Sequence, residues 1–411
     1  MRRELPNGRQ NGRPNGRPNG RMTRTGSKLM KLWLPYVLAA CVLSAGHTVV
    51  APAMAQTADQ GLRIGIMKPE DGAFSILGNQ IVNGINMLAS SSNLAISEIL
   101  IEPDTCDAAG GTDAASAFAE ADVDAVIGFL CMESLSAALP ILSSEGIPAI
   151  TLGVRSQIVA EDSKRNGWHF YRLAPRADDE TRMIAQTIST QWQGKPVALV
   201  DDGTIYGREL AESVRLMLEE KGQSPIFIDN FRPTQEKQFG LVKRLEKSGA
   251  THIFIGGDRQ DAATIARDSI ASGFNLTFLG GDALKAPSSE PELAEGVLTV
   301  TLPEPQYLPS ARQAVAQFDS ADLSANGYTI PAYAAGQILL AAKAVSVARS
   351  VPISQVLKRE KFTTAIGIIE FDALGERKDN PFELMIWKDN TFLPANLAAR
   401  MKPVYSNGEN Q

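Results

Sequence analysis

The chain has 411 residues, 44% of them hydrophobic but only 6% aromatic, with a formal net charge of −6. That length is enough for two ordinary domains. Its acidic balance argues against nucleic acid and anionic membrane surfaces as partners.

The first 55 residues differ from the rest. A first Asn7-Gly8-Arg9 is followed by three more Asn-Gly-Arg copies from Asn11 to Arg21. Such a Gly/Asn/Arg/Pro tract cannot bury a core and reads as disordered. Met22 is an alternative start, which would make the repeat a misassigned leader. Residues 22–55 carry the parts of a secretory signal. These are Arg24, Lys28 and Lys31, an apolar run from Leu32 to Ala45, and Ala53-Met54-Ala55 before Gln56. The run is short and interrupted by Pro35, so it does not read as a membrane span. Leu38-Ala39-Ala40-Cys41 also resembles a lipoprotein box, but Val42 and Leu43 after it stay apolar. Cleavage after Ala55 and export to the periplasm is the expectation, with lipidation of Cys41 the alternative. Cleavage removes nine basic residues and one acid, taking the net charge from −6 to −14. Cys106 and Cys131 remain in a compartment that permits a disulfide between them. Two unpaired buried thiols are the alternative.

From Leu62 the chain alternates strand and helix. Leu62–Met67, Ile96–Ile101, Ala125–Gly128 and Pro148–Thr151 read as strands. Leu77–Leu88, Ala114–Ala121 and Ser134–Leu142 read as helices, with Ile81, Ile85 and Leu88 on one face of the first. The corner at Gly128 to Ser134, a strand end feeding a helix start, is where open α/β folds place ligands. A second series follows the same pattern. Asp178–Trp192, Tyr206–Lys221, Glu236–Lys247 and Ala262–Ser272 read as helices. Val197–Val200, Ile226–Ile228, His252–Ile255 and Leu276–Leu279 read as strands. Leu210, Val214, Met217 and Leu218 form an apolar stripe, and Gly222 suits a helix C-terminus. Beyond Gly296, the expectation is a strand at Val297–Val300 and a stiff crossing at Leu302-Pro303-Glu304-Pro305. A long buried helix at Tyr333–Val347 follows, then strands at Gly367–Phe371, Glu383–Trp387 and Thr391–Leu393. The tail from Lys402 reads as frayed. Strand–helix alternation with short loops predicts α/β architecture: two doubly wound parallel-sheet lobes with the largest cleft between them.

Several chemistries lack their motifs. There is no Gly-x-x-x-x-Gly-Lys-Ser/Thr, no Gly-x-Ser-x-Gly and no His-Glu-x-x-His. His169 and His252 read as structural, and no cofactor or metal is expected. Gly256-Gly257-Asp258 and Gly280-Gly281-Asp282 each follow a strand, so both acids are candidates to line the cleft.

An ordered set of segments resembles a known family. The segments are Leu62-Arg63-Ile64-Gly65-Ile66, Asp104-Thr105-Cys106-Asp107 and Ala125-Val126-Ile127-Gly128-Phe129-Leu130-Cys131, followed by Gly146-Ile147-Pro148-Ala149-Ile150-Thr151. Tyr206-Gly207-Arg208-Glu209-Leu210-Ala211, Gly280-Gly281-Asp282 and Ala294-Glu295-Gly296-Val297-Leu298 come after them. Together they look like the Leu/Ile/Val-binding proteins, solute-binding components of ABC importers for branched-chain amino acids. The resemblance implies a type I periplasmic binding protein with three crossings. One lobe would comprise about 62–174 plus 302–384, the other about 175–301 plus 385–411. It implies a monomer that closes on a small solute and delivers it to a membrane permease, without catalysis.

Carried over by position, the resemblance makes Tyr206 a wall of the site and Gly153 the backbone carbonyl that accepts from an ammonium. Asp282 stands where the family has glutamate. Four positions depart from the family. Met132 replaces a serine, though its N–H remains. Arg155 replaces a threonine. Leu77 and Asp258 replace tyrosines. Arg155 can hold a carboxylate through two N–H groups; its alternatives are a solvent-facing arginine or a partner to Asp258. A sensory subunit on the same fold and a hydrolase using cleft carboxylates are the competing functions.

Overall fold

The computed structural model describes residues 61–398 apart from 71–73, 92–94 and 288–289. The signal segment, the Asn-Gly-Arg repeat, Cys41, Ala55 and the tail from Lys402 lie outside the described residues.

Five parallel strands form the first sheet: β1 (Leu62–Lys68), β2 (Ile96–Pro103), β3 (Ala125–Gly128), β4 (Ala149–Thr151) and β5 (Phe170–Arg172), in the spatial order β2-β1-β3-β4-β5. Parallel pairing requires crossovers. These are supplied by α1 (Ser75–Ser91), α2 (Ala108–Glu120), α3 (Met132–Ser144) and α4 (Gln157–Asn166). Strand side chains alternate between faces, so both faces need cover. Leu62, Ile64 and Ile66 are buried with Ile81 and Ile85 of α1 on one face. Met67 and Val126 are buried with Phe118 of α2 and Leu135 of α3 on the other. Each such fully buried side chain contributes roughly 1.5–3 kcal/mol.

Seven strands form the second sheet. The parallel part is β6 (Val197–Asp201), β7 (Phe227–Asn230), β8 (His252–Gly256), β9 (Thr277–Gly280) and β10 (Leu298–Thr301). A separate antiparallel hairpin, β11 (Lys361–Thr364) with β12 (Gly367–Glu370), precedes β13 (Glu383–Lys388) and β14 (Thr391–Pro394). The last two return antiparallel to complete the order β14-β13-β10-β9-β8-β6-β7. One face is covered by α5 (Asp179–Gln191) and α6 (Ile205–Glu220), the other by α7 (Phe239–Ser248) and α8 (Arg259–Ala271).

After β10 the chain runs through α9 (Arg312–Ser320), α10 (Thr329–Arg349) and α11 (Ile353–Leu357). Ala332, Ala335, Ile338, Leu339 and Ala342 of α10 share the first sheet's core with Ile64 and Ile66. The chain therefore passes between the sheets three times: after β5, after β10, and between β12 and β13. All described residues belong to one compact unit.

Some expectations need correcting. The helix placed at Ala114–Ala121 begins six residues earlier, because the Asp107 carboxylate accepts from Gly110 N–H and caps it. The helix expected from Glu236 starts at Phe239. Thr234 N–H and Gln238 N–H are taken by the carboxylates of Asp261 and Asp268, which hold that stretch as a loop. The strand expected at Ile226–Ile228 is displaced to Phe227–Asn230. The long helix is buried through Ala342, but Val347 is exposed, so only its first part is a core helix. Helix α4 and strand β5 were not expected at all.

Candidate functional site

The C-terminal ends of the first sheet's strands build one wall of the site. β3 ends at Gly128 with φ +111°, followed by Phe129 at φ +48°. A Cβ on Gly128 would lie 2.4 Å from the Met67 carbonyl oxygen, so only glycine serves there. The corner is then locked to its neighbour: Leu152 N–H donates to the Gly128 carbonyl at 2.9 Å, and buried Thr151 Oγ1 donates to the Phe129 carbonyl at 2.8 Å. Helix α3 begins directly afterwards. Cys131 is its N-cap and supplies no side-chain cap, leaving the first N–H groups facing out. Cys106 and Cys131 stand with Cα atoms 5.1 Å apart and their sulfurs at bonding distance, which ties the α2 and α3 entry loops together.

Met132 is the first residue of α3 and is 40% exposed, consistent with a role for its N–H rather than its side chain. Gly153 lies in the loop after β4. A Cβ there would meet the Leu130 side chain at 2.7 Å and the Tyr328 hydroxyl at 3.1 Å, so the missing side chain is what lets this loop approach Tyr328. Arg155, two residues on, is half-buried. Its guanidinium sits 5.7 Å from the centroid of the Phe382 ring. Among the described residues no carboxylate lies within 4.0 Å of it, so the pairing with Asp258 is not made. Leu77 sits half-buried in the first turn of α1.

The second sheet supplies the opposite wall, and it is acidic. Tyr206, at the start of α6, donates from its hydroxyl to Glu180 Oε1 at 2.8 Å. The same oxygen accepts the Asp282 N–H at 2.7 Å. Asp282 itself accepts from Thr301 Oγ1. Glu180 is 8% exposed. Burial pushes its carboxyl above the usual carboxylate range, while the Asp282 N–H, the Tyr206 hydroxyl and the Arg155 charge work against that rise. Partial burial raises the Tyr328 phenol and the Arg155 charge works against that rise, so its charge reaches both walls. Asp258 does not join this group. It is exposed and caps α8, accepting Asp261 N–H at 2.9 Å.

Residues of the three crossings line a partly open cavity of about 550 Å³. Arg155 and Tyr328 line it together with apolar groups such as Leu152, Leu302 and Ile330. Of the ligand-contact residues expected from sequence, Arg155 alone lines this cavity, together with the expected crossing Leu302-Pro303-Glu304-Pro305. Neither His169 nor His252 does. His169 is held low by burial, and the His252 ring packs edge-on to Trp192 with centroids 4.8 Å apart.

Behind the cavity lies a charge network that sequence reasoning missed. Arg172 is 1% exposed. Its two terminal nitrogens donate to the carbonyls of Arg155 and Ser156 at 2.5 and 2.6 Å. Glu376 stands 3.3 Å from the same guanidinium. Arg176 bonds Asp372 at 2.8 Å, and Asn380 donates to the Asp179 carbonyl at 2.7 Å. The first and third crossings are thus bonded to each other, and through Arg172 to the loop carrying Arg155. Arg172 and Glu376 are 204 residues apart, so no local signal could have paired them. Glu180 was visible only as one of three acids opening a helix. Phe382 and Tyr328 carried no signal in sequence.

Known proteins share this layout. A sequence model described as periplasmic binding protein matches residues 61–391. An amino acid binding protein of Pseudomonas aeruginosa is 25% identical over 339 residues, covering 79% of this chain and 90% of its own. Leu/Ile/Val-binding protein homolog 2 of Brucella abortus is 24% identical over 347 residues, covering 82% and 93%. Among solved structures, an ABC transporter substrate-binding protein from Desulfitobacterium hafniense in complex with Leu superimposes with a TM-score of 0.59 at 21% identity, covering 81% of this chain and 99% of that one. A solute-binding protein of an ABC transporter from Rhodopseudomonas palustris, in complex with p-hydroxybenzoic acid, gives 0.56 at 14% identity, covering 81% and 95%. These families bind solutes rather than transform them. With two mostly parallel α/β lobes, three crossings and a match over most of its length, this chain belongs to the periplasmic binding protein family, in the type I fold of the Leu/Ile/Val-binding proteins.

Proposed function

We propose that this protein is the exported solute receptor of an ABC importer. It closes two lobes on a small amino-acid-like or related polar solute and delivers it to the membrane permease. The lobes are about 62–174 with 302–384 and about 175–301 with 385–411. The working form is a periplasmic monomer released by cleavage after Ala55.

The observation that carries the reading is Arg155: a half-buried guanidinium with no carboxylate within 4.0 Å among the described residues, whose charge reaches Glu180 of the acidic wall. A carboxylate is the natural occupant. It would accept two N–H bonds from Arg155 and lie within the field of the α3 N-terminus, whose positive end favours anions. Leucine and p-hydroxybenzoic acid, held by the two structural neighbours, share that group. Asp282 and Tyr206 face it from the second lobe and are the groups to meet an ammonium or hydroxyl. No nucleophile–base pair motivates a chemical step.

The test is thermal unfolding of the purified protein against a library of amino acids and carboxylic acids. A ligand at one hundred times its Kd stabilises the folded state by about 2.7 kcal/mol, a clear shift in Tm. Carboxylates should shift Tm and their amides should not. A folded protein that responds to no carboxylate in a broad library would overturn the reading.

A further inference from the structure

We propose that the solute is a monocarboxylate whose apolar body is bulkier than a branched-chain side chain and is seated in the cavity between the three crossings. This rests on Arg155 being the carboxylate site. It adds the size and charge class of what that site admits.

Most of the charges lining the cavity are paired. Of its cations, Lys285 is held by Glu304 at 2.6 Å and by the Leu302 carbonyl at 3.0 Å. Arg377 is held by Asp379 and by the Leu173 carbonyl at 3.2 Å. Arg155 is the remaining cation among the lining residues; among the described residues no carboxylate lies within 4.0 Å of it, and Glu180 is the acid its charge reaches. The lining acid without a cationic partner is Glu383, at the start of β13. A solute entering here meets one free positive group and one free negative group. A single carboxylate fits. A second carboxylate would be buried near Glu383 with nothing to compensate it.

A cavity of about 550 Å³ falls in the range that encloses drug-sized ligands. Its walls are mainly apolar, with Leu173, Leu302, Leu308, Ile330 and Ile366 converging from the crossings and the first lobe. Filling such a space with a solute recovers apolar burial at roughly 25 cal/mol per Å². A small amino acid would leave much of it unfilled. The cavity is continuous with the carboxylate site, because Arg155 and Tyr328 line it and Gly153 packs against the Tyr328 hydroxyl without a side chain.

The experiment is isothermal titration of the full purified chain with acetate, leucine, benzoate, 4-hydroxybenzoate and phthalate. Affinity should rise at least tenfold from leucine to the best aromatic monocarboxylate, and phthalate should bind at least tenfold more weakly than benzoate. The variants Leu308→Trp and Ile366→Trp, each at a half-buried wall position beside the same small core, narrow the cavity. Either should weaken the aromatic acids at least tenfold and leave leucine within threefold. Leucine binding as tightly as the aromatic acids in the unaltered protein, or phthalate binding as tightly as benzoate, would overturn the proposal while leaving the solute-receptor reading intact. So would Trp variants that weaken all ligands equally. Failure of every carboxylate to bind would instead bring down the reading on which it rests.

Discussion

The two lobes meet the cleft with different chemistry, and the contrast lies at their helix starts. On the first lobe, α3 and α4 follow β3 and β4 without a side-chain cap, so their N-terminal N–H groups stay available. On the second, α6 is capped by Thr204 and α8 by Asp258. Asp202 accepts Thr204 N–H at 2.9 Å, and Glu180 accepts Tyr206 and the Asp282 N–H. The first lobe therefore offers free donors and an unpaired guanidinium. The second offers acids already occupied in holding their own loops. This division suits a receptor in which one lobe takes the solute's anion and the other closes over it.

The strongest way to break the comparison is through the support of the donor lobe. Arg172→Met leaves Glu376 buried without its cation and releases the carbonyls of Arg155 and Ser156. It should cost about 3–5 kcal/mol in chemical denaturation, because removing one partner strands the other charge. The double variant Arg172→Met with Glu376→Leu should recover most of that loss, since an apolar pair can replace a buried ion pair. Solute affinity should not recover with it, because the loop keeps its lost anchor. Recovery of both would show that Arg172 serves stability alone.

Gly128→Ala attacks the same lobe at its corner. A side chain at φ +111° that also meets the Met67 carbonyl should cost about 1–3 kcal/mol or more, read as a lower denaturation midpoint with unchanged slope.

The acidic lobe can be probed by pH. Burial, with the charges of Asp258 and Asp202, pushes Asp261 up to about 6, against the lowering bond from Thr234 N–H. One of its carboxylate oxygens is buried without a partner. Its folded pKa lies above its unfolded value, so between about pH 4 and pH 6 the folded state binds more protons. Stability contributed by the protonated form is therefore lost as pH rises through that window. Asp261→Asn should flatten this slope, with a gain of about 1–3 kcal/mol at pH 8 relative to pH 4. An unchanged pH profile would place the titration elsewhere.

The smallest effect separates capping from binding. Asp258→Ala should lower stability by about 1 kcal/mol through loss of the α8 cap. Solute affinity should stay within threefold. A tenfold loss of affinity would restore Asp258 to the site.

Much of the architecture was legible because parallel α/β lobes impose alternation on the sequence. Strands such as Ala125–Gly128 are uninterrupted apolar runs, and helices such as α6 carry a clean stripe. Helix α4 was missed because Gln157–Asn166 is mostly polar and buries only Val159, Ala160 and Ser163. Strand β5 has three residues and no pattern to detect. The site was legible only where local pattern implies position. Glycine–acid pairs after strands marked the cleft edge, but not which acid turns inward and which caps a helix. Arg155 stood out by its type, yet its lack of a direct ion pair among the described residues is a three-dimensional fact. Its support by Arg172, and the cavity lined by residues from three crossings, depend on contacts across most of the chain.

The central claim is that Arg155 receives a carboxylate. The direct measurement is isothermal titration of Arg155→Gln and Arg155→Lys against whichever carboxylate binds the unaltered protein most tightly. A charge-assisted bond of about 1.5–3 kcal/mol predicts a loss of roughly 10- to 100-fold for the glutamine variant. Lysine should give partial retention, since it keeps the charge without the paired donors. A glutamine variant that binds within threefold of the unaltered protein, at the same Tm without ligand, would contradict the account.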